Sequence, residues 1–315
     1  MPPASRRFVY DLPLRHRFRG ITRRQGMIWS TPTGWVEWSP FLDYGPAEAA
    51  TWLRAARDIE ARGWPALVRS SVPVNVTVPA VSPDVAAGIV AGSGCGTAKV
   101  KVAERGQALG DDIARVEAVR SALGPGGRVR VDANGAWSVE EALRAIRELG
   151  RFGLEYVEQP CASVEELADL RRQLARSGRS VLIAADESIR RSGDPERVVA
   201  LEAADVAVLK VQPLGGIWRC LELAERLGLP VVVSSAIESS VGLALGVALA
   251  AALPDLPFAC GLNTAALLAA DVTSQPLVAV DGNVPVRPVV PDAAALDGAR
   301  ADAKTEAMWQ ARLEL

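Results

Sequence analysis

Eight short apolar runs, most of them rich in valine, recur along this chain at nearly constant intervals. They are VPVNVTV, TAKVKV, RVRVDA, LEYVEQ, VLIAAD, VAVLKV, PVVVSS and PFACGL. Between their central residues (Val76, Val100, Val131, Val157, Ile183, Val208, Val232 and Ala259) the steps are 24, 31, 26, 26, 25, 24 and 27 residues. That interval holds one strand and one crossover helix, so the pattern predicts repeated parallel βα units. Eight parallel strands is the number at which side chains fill a closed ring, which favours a barrel over an open doubly wound sheet. The open dinucleotide fold also lacks its signature, because AGSGCG at 91–96 precedes a strand instead of following one.

The first 70 or so residues read differently. QGMIWS and GWVEWSP alternate bulky apolar with polar residues, which suits antiparallel strands, and a helix is predicted from Pro46 to Arg62 with Gly63 as its stop. Residues 1–70 are therefore expected to form an α+β unit and residues 71–284 the barrel. The tail from 285, proline-rich and then an Ala-rich helix running to Leu315, is expected to pack back on the N-terminal unit.

Composition narrows the chemistry. A net charge of -2 offers no field for nucleic acid, and no apolar stretch reaches the roughly 20 residues of a membrane span. The N-terminal MPPASRRFVY lacks a secretory core, so a cytoplasmic location is expected. The four cysteines, Cys95, Cys161, Cys220 and Cys260, form no CxxC pair and read as buried thiols. His16 is the one histidine, so a multi-histidine metal site is arithmetically impossible. Acid and base must come from Lys, Asp, Glu, Tyr or water. Nothing in the sequence assigns an oligomeric state.

Polar residues interrupt the apolar runs near their C-terminal ends, where β/α barrels build active sites. In order they are Lys99 and Lys101, Asp132, Glu158, Asp186 with Glu187, and Lys210. Lys99 and Lys101 share one strand face. If that face is the barrel interior, their repulsion together with desolvation is expected to lower a lysine pKa toward the range where a neutral amine acts as a base; the alternative turns both outward as salt-bridge partners, against Val100 and Val102 on the other face. Asp132, Glu158 and Asp186 can converge as an all-oxygen Mg²⁺ site, or each can serve as a helix cap or loop ion pair. Asn134 and Glu187 are candidate supports for that centre. Lys210 stands across the ring from Lys101, so the two can flank a carboxylate substrate, an arrangement suited to taking a proton from carbon. A rival reading makes Lys210 a Schiff-base nucleophile of an aldolase, with the carboxylates structural.

Together TAKVKVAE, VDANGAW, VEQP, ADES and VAVLKVQPLGG resemble the enolase superfamily, in its muconate-lactonizing-like branch. The resemblance extends over nearly the whole chain. It implies an α/β fold, a (β/α)7β TIM-like barrel under an N-terminal α+β capping domain completed by residues 285–315. It further implies Mg²⁺ (Mn²⁺ being possible) on Asp132, Glu158 and Asp186, with Lys101 and Lys210 as the acid/base pair and Lys99 supporting Lys101. FRGITRRQGM, SSAIESSVGL and GLNT are most similar to a branch that dehydrates a succinyl-bearing carboxylate. Racemases of N-succinylamino acids and dipeptide epimerases share the same lysine pair. In that reading the segment Arg15–Gly20, with Arg19, closes over a small-molecule carboxylate, and Ser234, Ser235, Leu262 and Asn263 line the succinyl pocket. The capping domain is short for the family.

Overall fold

The computed structural model describes residues 7–314, apart from positions 192 and 194. It opens with an antiparallel sheet, β1 (Phe8–Phe18), β2 (Ile21–Thr31) and β3 (Gly34–Trp38), followed by α1 (Pro46–Arg62). Arg19 (φ 50°) and Gly20 (φ 76°) make the β1–β2 turn, the left-handed pair that two-residue hairpins require. Helix α1 starts on Pro46 and stops at Gly63 (φ 65°), the bounds its proline and glycine predict.

Then come β4 (Ser71–Pro73), β5 (Val76–Val78), α2 (Pro83–Ala91), β6 (Thr97–Lys101), α3 (Leu109–Leu123), β7 (Arg128–Asp132) and α4 (Val139–Leu149). They are followed by β8 (Leu154–Glu158), α5 (Val164–Arg176), β9 (Leu182–Ala185), α6 (Glu187–Arg190), α7 (Arg197–Ala200), β10 (Val206–Leu209), α8 (Val211–Leu214) and α9 (Ile217–Leu227). The chain ends with β11 (Val231–Val233), α10 (Ser240–Ala252), β12 (Asn283–Pro285), α11 (Ala293–Ala299) and α12 (Ala303–Leu313). Strands β5 to β11 form one parallel sheet in sequence order. Capping boxes at Ser138–Glu141 and Ser163–Glu166 start two of the crossover helices.

Two of the eight apolar runs do not become plain staves. VPVNVTV splits, because β4 pairs antiparallel with β12 while only β5 joins the ring. PFACGL forms no strand: Cys260 and Gly261 make single parallel bridges to Val74 and Ser234. Pro254 and Pro257, which have no N–H to give a ladder, leave only a short span for pairing. That span suffices to close the ring, since Asn75 N donates to Cys260 O (2.9 Å) and Gly261 N donates to Val233 O (2.9 Å).

Inside the ring Tyr156, Ala184, Val206, Val208 and Val232 form a small core with Phe258, and the buried Arg130 guanidinium lies 4.6 Å from the Tyr156 ring centre. The outward faces of the staves, Val100 and Val131 among them, join the large core with the helices. No helix among the described residues is long and apolar enough to cross a membrane.

The tail does return to the N-terminal sheet. Trp309 is fully buried and meets Trp38 edge-on, centroids 5.3 Å apart, while Arg312 donates to the carbonyls of Pro40 (2.9 Å), Phe41 (2.6 Å) and Tyr44 (2.9 Å). Helix α12 stops at Leu313, short of the expected Leu315, which lies outside the described residues. Trp309→Ala is expected to destabilise the fold by about 3–4 kcal/mol, the usual cost of emptying an indole-sized core position, measured by urea unfolding.

Candidate active site

Parallel register brings the ionisable residues to one rim. Lys101 pairs with Asp132 and Asp132 with Glu158, each the last residue of its strand. Asp186 directly follows β9 and Lys210 directly follows β10. Strands β6 and β10 are four staves apart in a ring of eight positions, so Lys101 and Lys210 face each other across the mouth. Between them lies a cavity of about 430 Å³, lined by Lys99, Lys101, Asn134, Glu187, Lys210 and, from the N-terminal sheet, Phe18 and Arg19 among others.

Asp132, Glu158 and Asp186 are buried beneath these groups. Lys99 Nζ donates to both oxygens of Glu158 (2.9 Å each) and stands 3.6 Å from Asp132. Lys101 Nζ donates to Asp132 Oδ2 (2.5 Å) and Asn134 Oδ1 (2.6 Å), and Lys210 Nζ to Asp186 Oδ2 (2.6 Å). Both strand-six lysines thus face inward, as the valine alternation predicts, but their mutual repulsion does not dominate. Burial works against the charge of Lys99, yet Glu158 and Asp132 outweigh it and hold its pKa above the usual lysine range. Burial likewise opposes the charge of Asp132, but Lys101 and Lys99 hold its carboxyl down at about 2. Asp186 is lowered too, against burial, by Arg190 and Lys210.

Arg190 and Gln159 are members of this centre that the reading of the sequence missed. Arg190 donates to Asp186 Oδ1 (2.9 Å), Glu187 Oε1 (2.5 Å) and the Tyr44 hydroxyl (3.0 Å). Its signal was the i,i+4 spacing from Asp186 on one helical turn. Gln159 accepts from the backbone N–H of Asp186 (2.9 Å) and of Ser188 (3.1 Å), which aims Asp186 at the rim. Asn134 braces Asp132 through its own backbone N–H (3.0 Å) and reaches Glu187 Oε1 (3.3 Å).

The pocket expectations divide. Ser234 and Ser235 line the cavity, whereas Leu262 and Asn263 do not. Leu262 is fully buried against Gly246, and Asn263 spends its carboxamide on the backbone N–H of Ala279 (2.9 Å). Thr264 reaches the cavity instead and shares a 2.5 Å hydrogen bond with Ser235. Arg15–Gly20 is not a free loop but the end of the β1–β2 hairpin, with Arg19 paired to Asp43 (3.0 and 3.1 Å) over the Phe41 ring.

Asp132, Glu158 and Asp186 each face a cation of the protein, and among the described residues no three His, Cys, Asp or Glu side chains close on one point as they stand. The donor chemistry still suits a hard divalent cation: carboxylates on three successive staves, and Glu187 Oε2 buried without a hydrogen-bond partner among the described residues. A cation bound here would compete with the lysines for the same oxygens.

Comparison with known proteins decides the family. Residues 83–293 match the model described as enolase C-terminal domain-like, and residues 9–60 the enolase N-terminal domain-like model. The chain belongs to the enolase superfamily. It is 62% identical over 305 residues to an o-succinylbenzoate synthase of Thermobifida fusca, covering 97% of this chain and 94% of that protein. A second o-succinylbenzoate synthase, from Mycolicibacterium smegmatis, is 51% identical over 97% of this chain and 93% of its own length. Among solved structures, the N-succinyl Arg/Lys racemase of Bacillus cereus shares the fold with a TM-score of 0.77 at 20% identity, covering 94% of this chain and 97% of its own. The L-Ala-D/L-Glu epimerase of Bacillus subtilis does so at 0.75 and 22%, covering 90% and 95%. The superfamily's capped barrel is the architecture found here. Arg190→Met, which frees Asp186 and Glu187 together, is expected to lower turnover about ten- to a hundredfold with the fold intact, by steady-state kinetics and thermal melting.

Proposed function

We propose that this chain is a carbon–oxygen lyase of menaquinone biosynthesis, forming o-succinylbenzoate by syn-dehydration of 2-succinyl-6-hydroxy-2,4-cyclohexadiene-1-carboxylate. The observation that carries the reading is the placement of Lys101 and Lys210 on opposite sides of one cavity above buried carboxylates. The names of its relatives, two of them more than half identical in sequence along almost the full chain, point to the same activity.

Charge supports a dianionic substrate. Lys99, Lys101, Lys210 and Arg190 stand against Asp132, Glu158, Asp186 and Glu187, four cations to four carboxylates. A divalent cation adds two positive charges and a dicarboxylate cancels them, so either alone leaves the desolvated site charged, whereas both together restore the balance of the empty site. Asp132, Glu158 and Asp186 are the residues that would hold Mg²⁺, with Mn²⁺ a possible substitute. Bound there, the ion supplies Lewis-acid polarisation of the substrate's ring carboxylate, which acidifies the adjacent C–H.

Lys101 must first give up the proton it shares with Asp132, and as the neutral amine it takes the α-proton on its Nζ. Because the elimination is syn, the same ammonium returns that proton to the departing hydroxyl, so one C–H and one C–O bond break, a C=C bond forms and water leaves. Lys210, on the far side, places its positive charge against the face of the ring as negative charge develops there. Lys99 holds Glu158 and leaves Lys101 to Asp132 and Asn134. Residues 1–70 with 285–315 act as the cap and 71–284 as the barrel, in a cytoplasmic enzyme.

Lys101→Ala is expected to lower kcat at least about a thousandfold with the fold intact by circular dichroism, as loss of a positioned base does. A chelator should abolish turnover and added Mg²⁺ restore it. Faster racemisation of N-succinylamino acids than dehydration would replace the reading with the racemase one. Borohydride trapping of a carbonyl substrate on Lys210, with activity indifferent to chelator, would replace it with the aldolase one.

A further inference from the structure

The wall formed by Ser235, Ala236 and Ile237 contains a backbone that should not persist unaided. Ile237 lines the cavity with φ of 61°, the left-handed region, where a β-branched side chain is strained. What holds it comes from the N-terminal sheet. Arg24, fully buried on β2, donates its Nε to Ile237 O (3.1 Å) and its other nitrogens to Gln25 O (2.8 Å), Ser39 Oγ (3.0 Å) and Ser39 O. Beside it Glu37, fully buried on β3, accepts from the Tyr10 hydroxyl (2.8 Å) and Ser39 Oγ (2.6 Å) on one oxygen. Its other oxygen accepts from the Ser239 hydroxyl and from Gly242 N (3.1 Å), in the first turn of α10. From the barrel side Glu238 Oε2 accepts from Ala236 N (2.7 Å).

Two glycines clear space for this joint. A Cβ on Gly242 would lie 2.8 Å from the Glu37 carboxyl carbon, and one on Gly26 would lie 2.4 Å from the Tyr10 hydroxyl. Neither Arg24 nor Glu37 lines the cavity.

We propose that Arg24 and Glu37 are positioning residues: from the capping sheet they hold Ile237 in its left-handed conformation, and so set the wall against which the far end of the substrate binds. This rests on the dehydration reading for its assay, and it assigns the two residues to substrate affinity and not to the proton transfer. Carried by a different sheet from the lysines, the joint makes the shape of that wall depend on how the cap sits.

A double-mutant cycle on the full chain tests it, with steady-state kinetics and a thermal melt for Arg24→Met, Ile237→Gly and both together. Arg24→Met is expected to raise KM about tenfold while kcat stays within about threefold, the pattern of lost uniform binding. In the Ile237→Gly background the same change should raise KM no more than about twofold, because glycine occupies the left-handed region without help. Equal factors in both backgrounds overturn the proposal. If Arg24→Met does not fold, Tyr10→Phe decides: it removes one donor from Glu37 and should raise KM about threefold at unchanged kcat, by the same logic. An unchanged KM there overturns the proposal as well. No turnover by the unsubstituted chain sinks the dehydration reading, whereas normal turnover with KM unmoved by Arg24→Met sinks this one alone.

Discussion

An unpaired charge buried at the mouth of a barrel costs several kcal/mol, and a partner must approach closely to offset it. Here Lys99, Lys101, Lys210 and Arg190 each meet a carboxylate presented by a neighbouring segment, not by their own strand, save for the helical turn that joins Arg190 to Asp186 and Glu187. The site therefore exists only when the staves are in register. A slip of one residue would turn Lys101 away from Asp132 and strand both charges among apolar helices. Ring closure guards that register. The two bridging residues Cys260 and Gly261 join Val74 to Ser234, so the sheet has no free edge along which β5 or β11 could slide.

The capping sheet is held in two different ways, one to the chain's tail and one to the barrel. Trp309 and Trp38 weld it to the chain's own tail by apolar contact, which resists separation but specifies orientation only loosely. Arg24, Glu37 and the amide of Gln212, which accepts from Ser39 N (3.1 Å), connect it by hydrogen bonds whose directions are narrow. Gln212 lies two residues beyond Lys210 and Ile237 three beyond Ser234, so these bonds end beside the two staves that form one side of the cavity. Buried polar networks of this kind constrain geometry more than they add stability.

The parts of the site legible in the sequence were those governed by alternation and by strand ends. Lys99 and Lys101 were placed inside because Val100 and Val102 needed the apolar face, and the carboxylates were placed at the rim because each closes an apolar run. The pKa of Lys99 rises instead of falling because, against burial and the neighbouring lysine, the oxygens of Glu158 and Asp132 on the next two strands stand 2.9 and 3.6 Å from its Nζ. Leu262 and Asn263 were misplaced for a related reason. Along GLNT, Leu262 packs into the space a side chain at 246 would fill and Asn263 accepts from Ala279 N, and neither partner is a sequence neighbour.

Local sequence alone determined the periodic elements: the helix between Pro46 and Gly63, the spacing of the parallel strands, and the charged residues that end them. These follow from steric limits on the backbone and from the two- and 3.6-residue periods, which act over a few residues at a time. Tertiary structure alone decided that two bridging residues suffice for the eighth stave, that Arg190 and Gln159 brace Asp186, and that a capping-sheet arginine holds Ile237 in a strained backbone. Each of those depends on groups brought within about 3 Å by the closing of the ring or the docking of the cap, distances at which directional hydrogen bonds act and which no local pattern encodes.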